Sequence, residues 1–240
     1  MPHFFVSSSN ILNNTIIISD KENYNHIVKA LRMKPGEKIL LIDENKIQHE
    51  GSILSVEKNN ISVLIDKSYP SKRFLNFDLS LAQSPLNSSS QSTIIEKATE
   101  LGVNNVYPVF TDNCAVKKSV IINKIEKWQN IMYDASKQCE RAFVPKCHNL
   151  TSLENVLSMD FDRILAFVER LSKENLKNYL LNNPVKQNEK ILVIVGPEGG
   201  FSSREFELFE NTNNVEMLSL GNLILKADTA IITSIGNIVL

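Results

Sequence analysis

The chain has 240 residues, 42% of them apolar, which is enough to build one large domain or two modest ones. Its net charge of −1 excludes a uniformly basic nucleic-acid binder, although residues 1–147 carry 18 Lys and Arg against 15 Asp and Glu, and residues 148–240 carry 8 against 12, so a polyanion would favour the N-terminal part. Three unpaired-looking cysteines (Cys114, Cys139, Cys147), an N-terminus without a basic and apolar leader, and no apolar run near ~18 residues point to a soluble cytoplasmic protein without disulfides or a membrane segment.

Residues 15–66 read as a small β-rich module with one helix. Thr15–Ser19 is a strand, and Tyr24–Met33 is a helix with Ile27, Ala30 and Leu31 on one face, stopped by Pro35-Gly36. Short strands follow at Lys38–Ile42, Ile47–Val56 and Ile61–Asp66, a pattern that suggests a small barrel. The polar, proline-containing Tyr69–Arg73 is the expected linker, dividing the chain into domains 1–72 and 73–240.

From Phe77 strands alternate with helices. The strands are Phe77–Gln83, Val106–Phe110, Arg163–Val168, Ile191–Val195 and Val215–Leu218. The helices are Gln91–Leu101, Val120–Gln138 with a stripe of Ile121, Ile125, Trp128, Met132 and Ala135, then Lys173–Leu181, Ser203–Glu210 and Asp228–Leu240. This alternation predicts an α/β domain with a parallel sheet covered on both faces. Ser88–Ser92 reads as a loop.

The sequence centres on the stretch from Ile191 to Phe206. Five apolar residues run into Gly196-Pro-Glu-Gly-Gly200, after which Ser202 and Glu205 have capping-box spacing and Phe201 and Phe206 that of a hydrophobic staple. The carboxyl end of a parallel strand is where open α/β sheets place ligands. Pro197 lacks an amide proton and no Lys-Ser/Thr follows, so the loop fits neither common phosphate-binding fingerprint. Leu218–Ala230 again passes from strand through glycine to helix, with Asp228 or Thr229 in N-cap range, and the two loops together describe the walls of a ligand slot.

These two segments resemble the S-adenosylmethionine site of the RsmE family, small-subunit (16S) ribosomal RNA methyltransferases of the SPOUT superfamily that modify uridine N3. Leu31-Arg-Met-Lys-Pro-Gly36, Glu96-Lys-Ala-Thr-Glu-Leu-Gly102, Trp128 and Gln138-Cys-x-Arg-x-x-Val-Pro145 resemble further family motifs in the same order. The resemblance implies a PUA-like, RNA-binding β-barrel, a C-terminal methyltransferase domain closed by a trefoil knot, and a homodimer. It also implies S-adenosylmethionine as cofactor. One wall of its site would be Val195, Gly196, Pro197, Glu198, Gly199 and Gly200, the other Leu220, Gly221, Ile224, Leu225, Thr229 and Ala230, with Phe167 on the neighbouring strand.

The N3 of uridine carries a proton that must leave, which makes Glu198 the first candidate for a general base or orienting acceptor and Asp228 the second. Arg32, Lys34, Lys137, Arg141 and Lys226 are the expected RNA contacts. The four histidines have no metal-ligand spacing, and Cys139 reads as a small core residue. The chain departs from the family pattern at 87–92, where a basic run is usual, and at Asn113, Leu223, Lys226 and Asp228. The alternatives are a SPOUT methyltransferase for another nucleotide and a non-catalytic RNA-binding homologue.

Overall fold

The structure is a computed structural model and describes residues 1–86, 90–168, 172 and 174–240. It separates into two compact units, 1–74 with 136–143, and 75–135 with 144–240. The order of motifs along the chain gives no hint that 136–143, the end of a long helix and the turn after it, belongs with the N-terminal unit.

The N-terminal unit holds β1 (His3–Phe5), β2 (Ile11–Leu12), β3 (Thr15–Ile18), α1 (Lys21–Tyr24), β4 (Lys38–Ile42), β5 (Ile47–Val56) and β6 (Ile61–Pro70). Its six strands form one sheet in the order β1-β4-β5-β6-β3-β2, over a core that includes Phe4, Ile16, Ile18, Ile27, Leu41 and Val63. β1 and β2 carry too few residues to show a period. Tyr69 and Pro70, expected in the linker, instead pair with Gln48 and Ile47 and prolong β6. Asp20 caps α1 by accepting the Asn23 amide at 2.8 Å, and the chain then winds as a π-turn over Asn25–Ala30. The wider turn buries Ile27 but swings Ala30 and Leu31 into solvent, against the expected helical face.

The C-terminal unit holds β7 (Asp78–Gln83), α2 (Ser90–Glu100), β8 (Asn105–Phe110), α3 (Lys118–Ile122), α4 (Ile125–Gln138, its last turn in the other unit), β9 (Lys146–Cys147), β10 (Thr151–Ser152), α5 (Leu153–Leu157), β11 (Arg163–Phe167), β12 (Glu174–Asn175), α6 (Leu176–Asn182), β13 (Lys190–Val195), α7 (Ser203–Glu210), β14 (Val215–Ser219) and α8 (Ala227–Val239). Among the described residues its eight strands are all parallel, in the order β10-β8-β7-β13-β11-β14-β12 with β9 beside β8. Alternation decides which helices cover which face. Leu81, Leu165, Val193 and Leu218 pack with residues of α2, α4, α6 and α8, while Ala82, Ala166, Ile194 and Met217 pack with α5 and α7.

Three expectations change here. The helix expected over 120–138 breaks at Asn123-Lys124, because Val120 and Ile122 are exposed and three successive β-branched residues gain too little packing to continue the turn. The helix expected from Lys173 begins at Leu176 behind an Asn175 cap, and Lys173 itself lies outside the described residues. Ser88 and Ser89 also lie outside them, whereas Ser90–Ser92 form the first turn of α2 rather than a loop. Gln91 is buried there, accepting the Leu86 amide at 2.9 Å and donating to Gln83 Oε1 at 2.8 Å.

Candidate active site

The strands β11, β13 and β14 end level with one another, Phe167 pairing with both Val195 and Leu218. The chain leaves β13 and β14 through the two glycine loops, and between these lies a cavity of about 650 Å³. That size falls in the ~300–1,000 Å³ range of small-molecule sites. The first loop is a tight turn in which Gly200 N donates to Pro197 O at 2.9 Å, with Glu198 and Gly199 at its exposed corner. Gly200 (φ +68) and Gly221 (φ +133) occupy the left-handed region, so a glycine at each is a backbone requirement.

The turn is held from behind. Ser202 caps α7, accepting the Glu205 amide at 3.3 Å, while Glu205 Oε2 accepts the Ser202 amide at 2.8 Å, the expected capping box. Phe201 and Phe206 pack edge to face at 6.2 Å, completing the staple. Glu205 is fully buried because its other oxygen reaches beyond the box and accepts the Asp112 amide at 2.9 Å.

Of the residues expected at a cofactor, Phe167, Val195, the whole loop from Gly196 to Gly200, and Leu220, Gly221, Ile224, Leu225 and Ala230 line this cavity. Thr229 and Asp228 do not. The N-cap of α8 is Lys226, so Asp228 sits one residue inside the helix and turns its carboxylate onto the Thr229 amide at 2.7 Å. Asp228 is therefore neither the cap nor a cavity group. Phe201, Phe206, Ser219, Asn222, Leu223 and Ala227 also line the cavity; the staple spacing marked the two phenylalanines as packing residues but not as part of this wall.

The expected cationic contacts divide in two. Arg32, Lys34 and Lys226 are exposed. Arg141 is only 5% exposed, and burial pushes its guanidinium down to about 10; it lies over the Phe143 ring at 5.0 Å. The Lys137 side chain is 9% exposed and reaches Glu22 at 3.4 Å. Both belong to the packing of the N-terminal unit. Burial likewise pushes the Cys147 thiol up to about 12, away from nucleophilic chemistry. Among the described residues no cluster of His, Cys, Asp and Glu could hold a metal ion.

Residues 74–239 match the model of the RNA methyltransferase domain. The chain belongs to the RNA methyltransferase family. Residues 18–66 match the RNA methyltransferase PUA domain, which falls within the N-terminal unit. The chain is 28% identical to the ribosomal RNA small subunit methyltransferase E of Rickettsia conorii over 98% of this chain and 93% of that one, and 27% identical to the Bacillus subtilis protein of the same name over 87% and 84%. A Legionella pneumophila protein solved in complex with the bound cofactor SAM superposes with a TM-score of 0.83 at 26% identity, covering 98% of this chain and 95% of that one. The ribosomal RNA small subunit methyltransferase E of Neisseria gonorrhoeae, solved bound to S-adenosyl methionine, has the same fold at a TM-score of 0.83 and 24% identity, over 98% and 95% of the two chains.

Proposed function

We propose that this protein transfers the methyl group of S-adenosylmethionine (SAM) to N3 of a uridine in 16S ribosomal RNA of the small subunit. The observation that carries the reading is the two-loop cavity at the carboxyl ends of β11, β13 and β14, in a chain of an RNA methyltransferase family. The cavity suits such a cofactor: glycine backbone on both walls can approach a ligand closely, and Phe167, Val195 and Leu218 supply an apolar floor. When bound, SAM supplies a methyl group on a sulfonium, an electrophile that needs no metal. The protein has to bind it, exclude water, orient the base and receive the N3 proton. Glu198, exposed at the cavity rim and carried by a closed turn, is the residue for the last task.

The N-terminal sheet closes into a PUA-like barrel that contacts RNA through Arg32 and Lys34, with Lys226 contacting RNA beside the cavity. The C-terminal unit forms a trefoil knot. Its support is the return of the chain from β14 across the sheet to pack α8 with Ile94, Ile95 and Ala98 of α2. The protein is a homodimer whose second copy covers Leu223 and Ile224, 81% and 67% exposed on a cavity loop. A cytoplasmic site of action fits an RNA substrate and three free cysteines. No helix of the described residues is long and apolar enough to cross a membrane.

Purified small subunits lacking the modification, incubated with methyl-labelled SAM, should gain label at one uridine N3. Label at another nucleotide would identify a different RNA methyltransferase, and no heat on titrating SAM at millimolar concentration would favour the non-catalytic RNA binder. Lys34→Ala should weaken RNA binding about threefold and reduce the slope of log K against log salt by about 1, the signature of one lost phosphate contact. An unchanged slope would remove Lys34 from the interface.

A further inference from the structure

The segment after β8 is no part of the cavity wall, yet it is bonded to the cofactor loop and to the helix start behind it. Glu205, 0% exposed, accepts the Asp112 amide and the Ser202 amide at 2.9 and 2.8 Å. The Asp112 carboxylate accepts Ser202 Oγ at 2.5 Å and the Arg204 guanidinium at 2.8 and 3.1 Å. One residue further, the Asn113 side-chain amide donates to Gly199 O at 3.2 Å and to Gly200 O at 3.1 Å. Both acceptors are carbonyls, so only the NH₂ end of Asn113 fits there. A Cβ on Gly199 would come within 3.1 Å of Asn113 Cβ, so the two segments run in van der Waals contact.

We infer that Asn113 is a positioning residue: by engaging the Gly199 and Gly200 carbonyls on the outer side of the turn, it sets the peptide orientation that the loop presents to the cofactor. The inference rests on the reading of the cavity as a SAM site. Pro197 restrains one end of the loop and its carbonyl accepts the Gly200 amide at 2.9 Å, so the Gly199–Gly200 peptide, with no side chain to restrain it, is fixed by that bond on one edge and by Asn113 on the other. A carbonyl turned inward would meet the ligand with an acceptor in place of open backbone. When only a fraction of the molecules hold the competent orientation, the apparent affinity falls by that fraction. Two hydrogen bonds from one side chain are of the right size to hold such a peptide, and their loss corresponds to about tenfold.

Asn113→Asp keeps the shape but replaces the donating nitrogen by an oxygen that repels the two carbonyls; Asn113→Ala removes the group. Calorimetric titration of SAM into the full chain should show about tenfold weaker binding for Ala and more for Asp. The melting midpoint of the unliganded protein should fall by no more than about 6 °C, the amount that two lost hydrogen bonds account for. In steady-state assays KM for SAM should rise by the same factor, with kcat changed less than about threefold. Parent protein that binds SAM and an Asn113→Asp variant that binds within twofold of it would overturn the inference. A loss of affinity matched by a large fall in the unliganded midpoint would also overturn it, assigning Asn113 a structural role. Parent protein that binds no SAM would remove the cavity reading itself, an outcome visible before any variant is compared.

Discussion

Glu198→Gln is expected to lower methyl transfer by about 10²- to 10⁴-fold while SAM affinity stays within about threefold of the parent. The substitution keeps the length of the side chain and one oxygen acceptor at the exposed corner of the Pro197–Gly200 turn, but the amide cannot take up a proton. A residue that only orients the base through a hydrogen bond would survive as Gln with most of its activity. The size of the loss therefore separates proton removal from orientation. Single-turnover rates on small subunits, with SAM binding measured by calorimetry, check the outcome. A rate within threefold of the parent would exclude Glu198 as the base. Asp228→Asn serves as the comparison, since its carboxylate accepts the Thr229 amide and Asp228 does not line the cavity, and its effect should be small.

Glu205→Ala is expected to cost about 3 kcal/mol of stability. The carboxylate is fully buried and accepts two backbone amides, one inside its own helix start and one 93 residues away in sequence at Asp112. Alanine leaves both part-buried amides without that acceptor, and an unsatisfied buried donor costs roughly 1–3 kcal/mol. For a chain of this size the loss corresponds to a fall in melting midpoint of roughly 6–12 °C. Gln, which keeps one acceptor oxygen, should fall between the parent and Ala. Urea denaturation followed by fluorescence of Trp128, which is buried in the same unit, reads the change. A loss below about 1 kcal/mol would mean that the two amides find other partners. The same variant should also bind SAM more weakly, because it loosens the segment that carries Asn113.

Glu205 was legible as a capping-box residue from its spacing to Ser202, since a helix start is decided within four residues and by hydrogen bonds that span them. Its second bond to Asp112 was not legible, because nothing near Asp112 in sequence marks it as a neighbour of α7. Asn113 stood out only as a departure from the pattern of a resembling family, where an arginine is common. What it does here depends on the strand order, which places the end of β8 within reach of the loop after β13 with only β7 between them.

For Arg141 the charge is legible in the sequence and the burial is not. Its position in a motif with Lys137 and Lys146 nearby suggested an open cation, while the structure buries it with the N-terminal unit. Charge along a sequence carries no information on which side of a packed surface a side chain will lie. In the same way the π-turn over Asn25–Ala30 shifts Ala30 and Leu31 out of a face that a 3.6-residue period had assigned to the core.

By itself, the sequence determined the strands of four or more residues, most helices and the two glycine loops, but not the two- and three-residue strands β1, β2, β9, β10 and β12. β-Branched runs, apolar periods, caps and positive-φ glycines act over a few residues and leave a local mark. Family resemblance supplied the expected cofactor. The tertiary structure decided that the loops face each other across one cavity, that Asp228 and Thr229 lie outside it, and that Asp112 and Asn113 brace the loop from behind. Those facts follow from strand order and chain crossovers; the brace alone brings together residues 86 or more positions apart, and no local signal encodes such a distance.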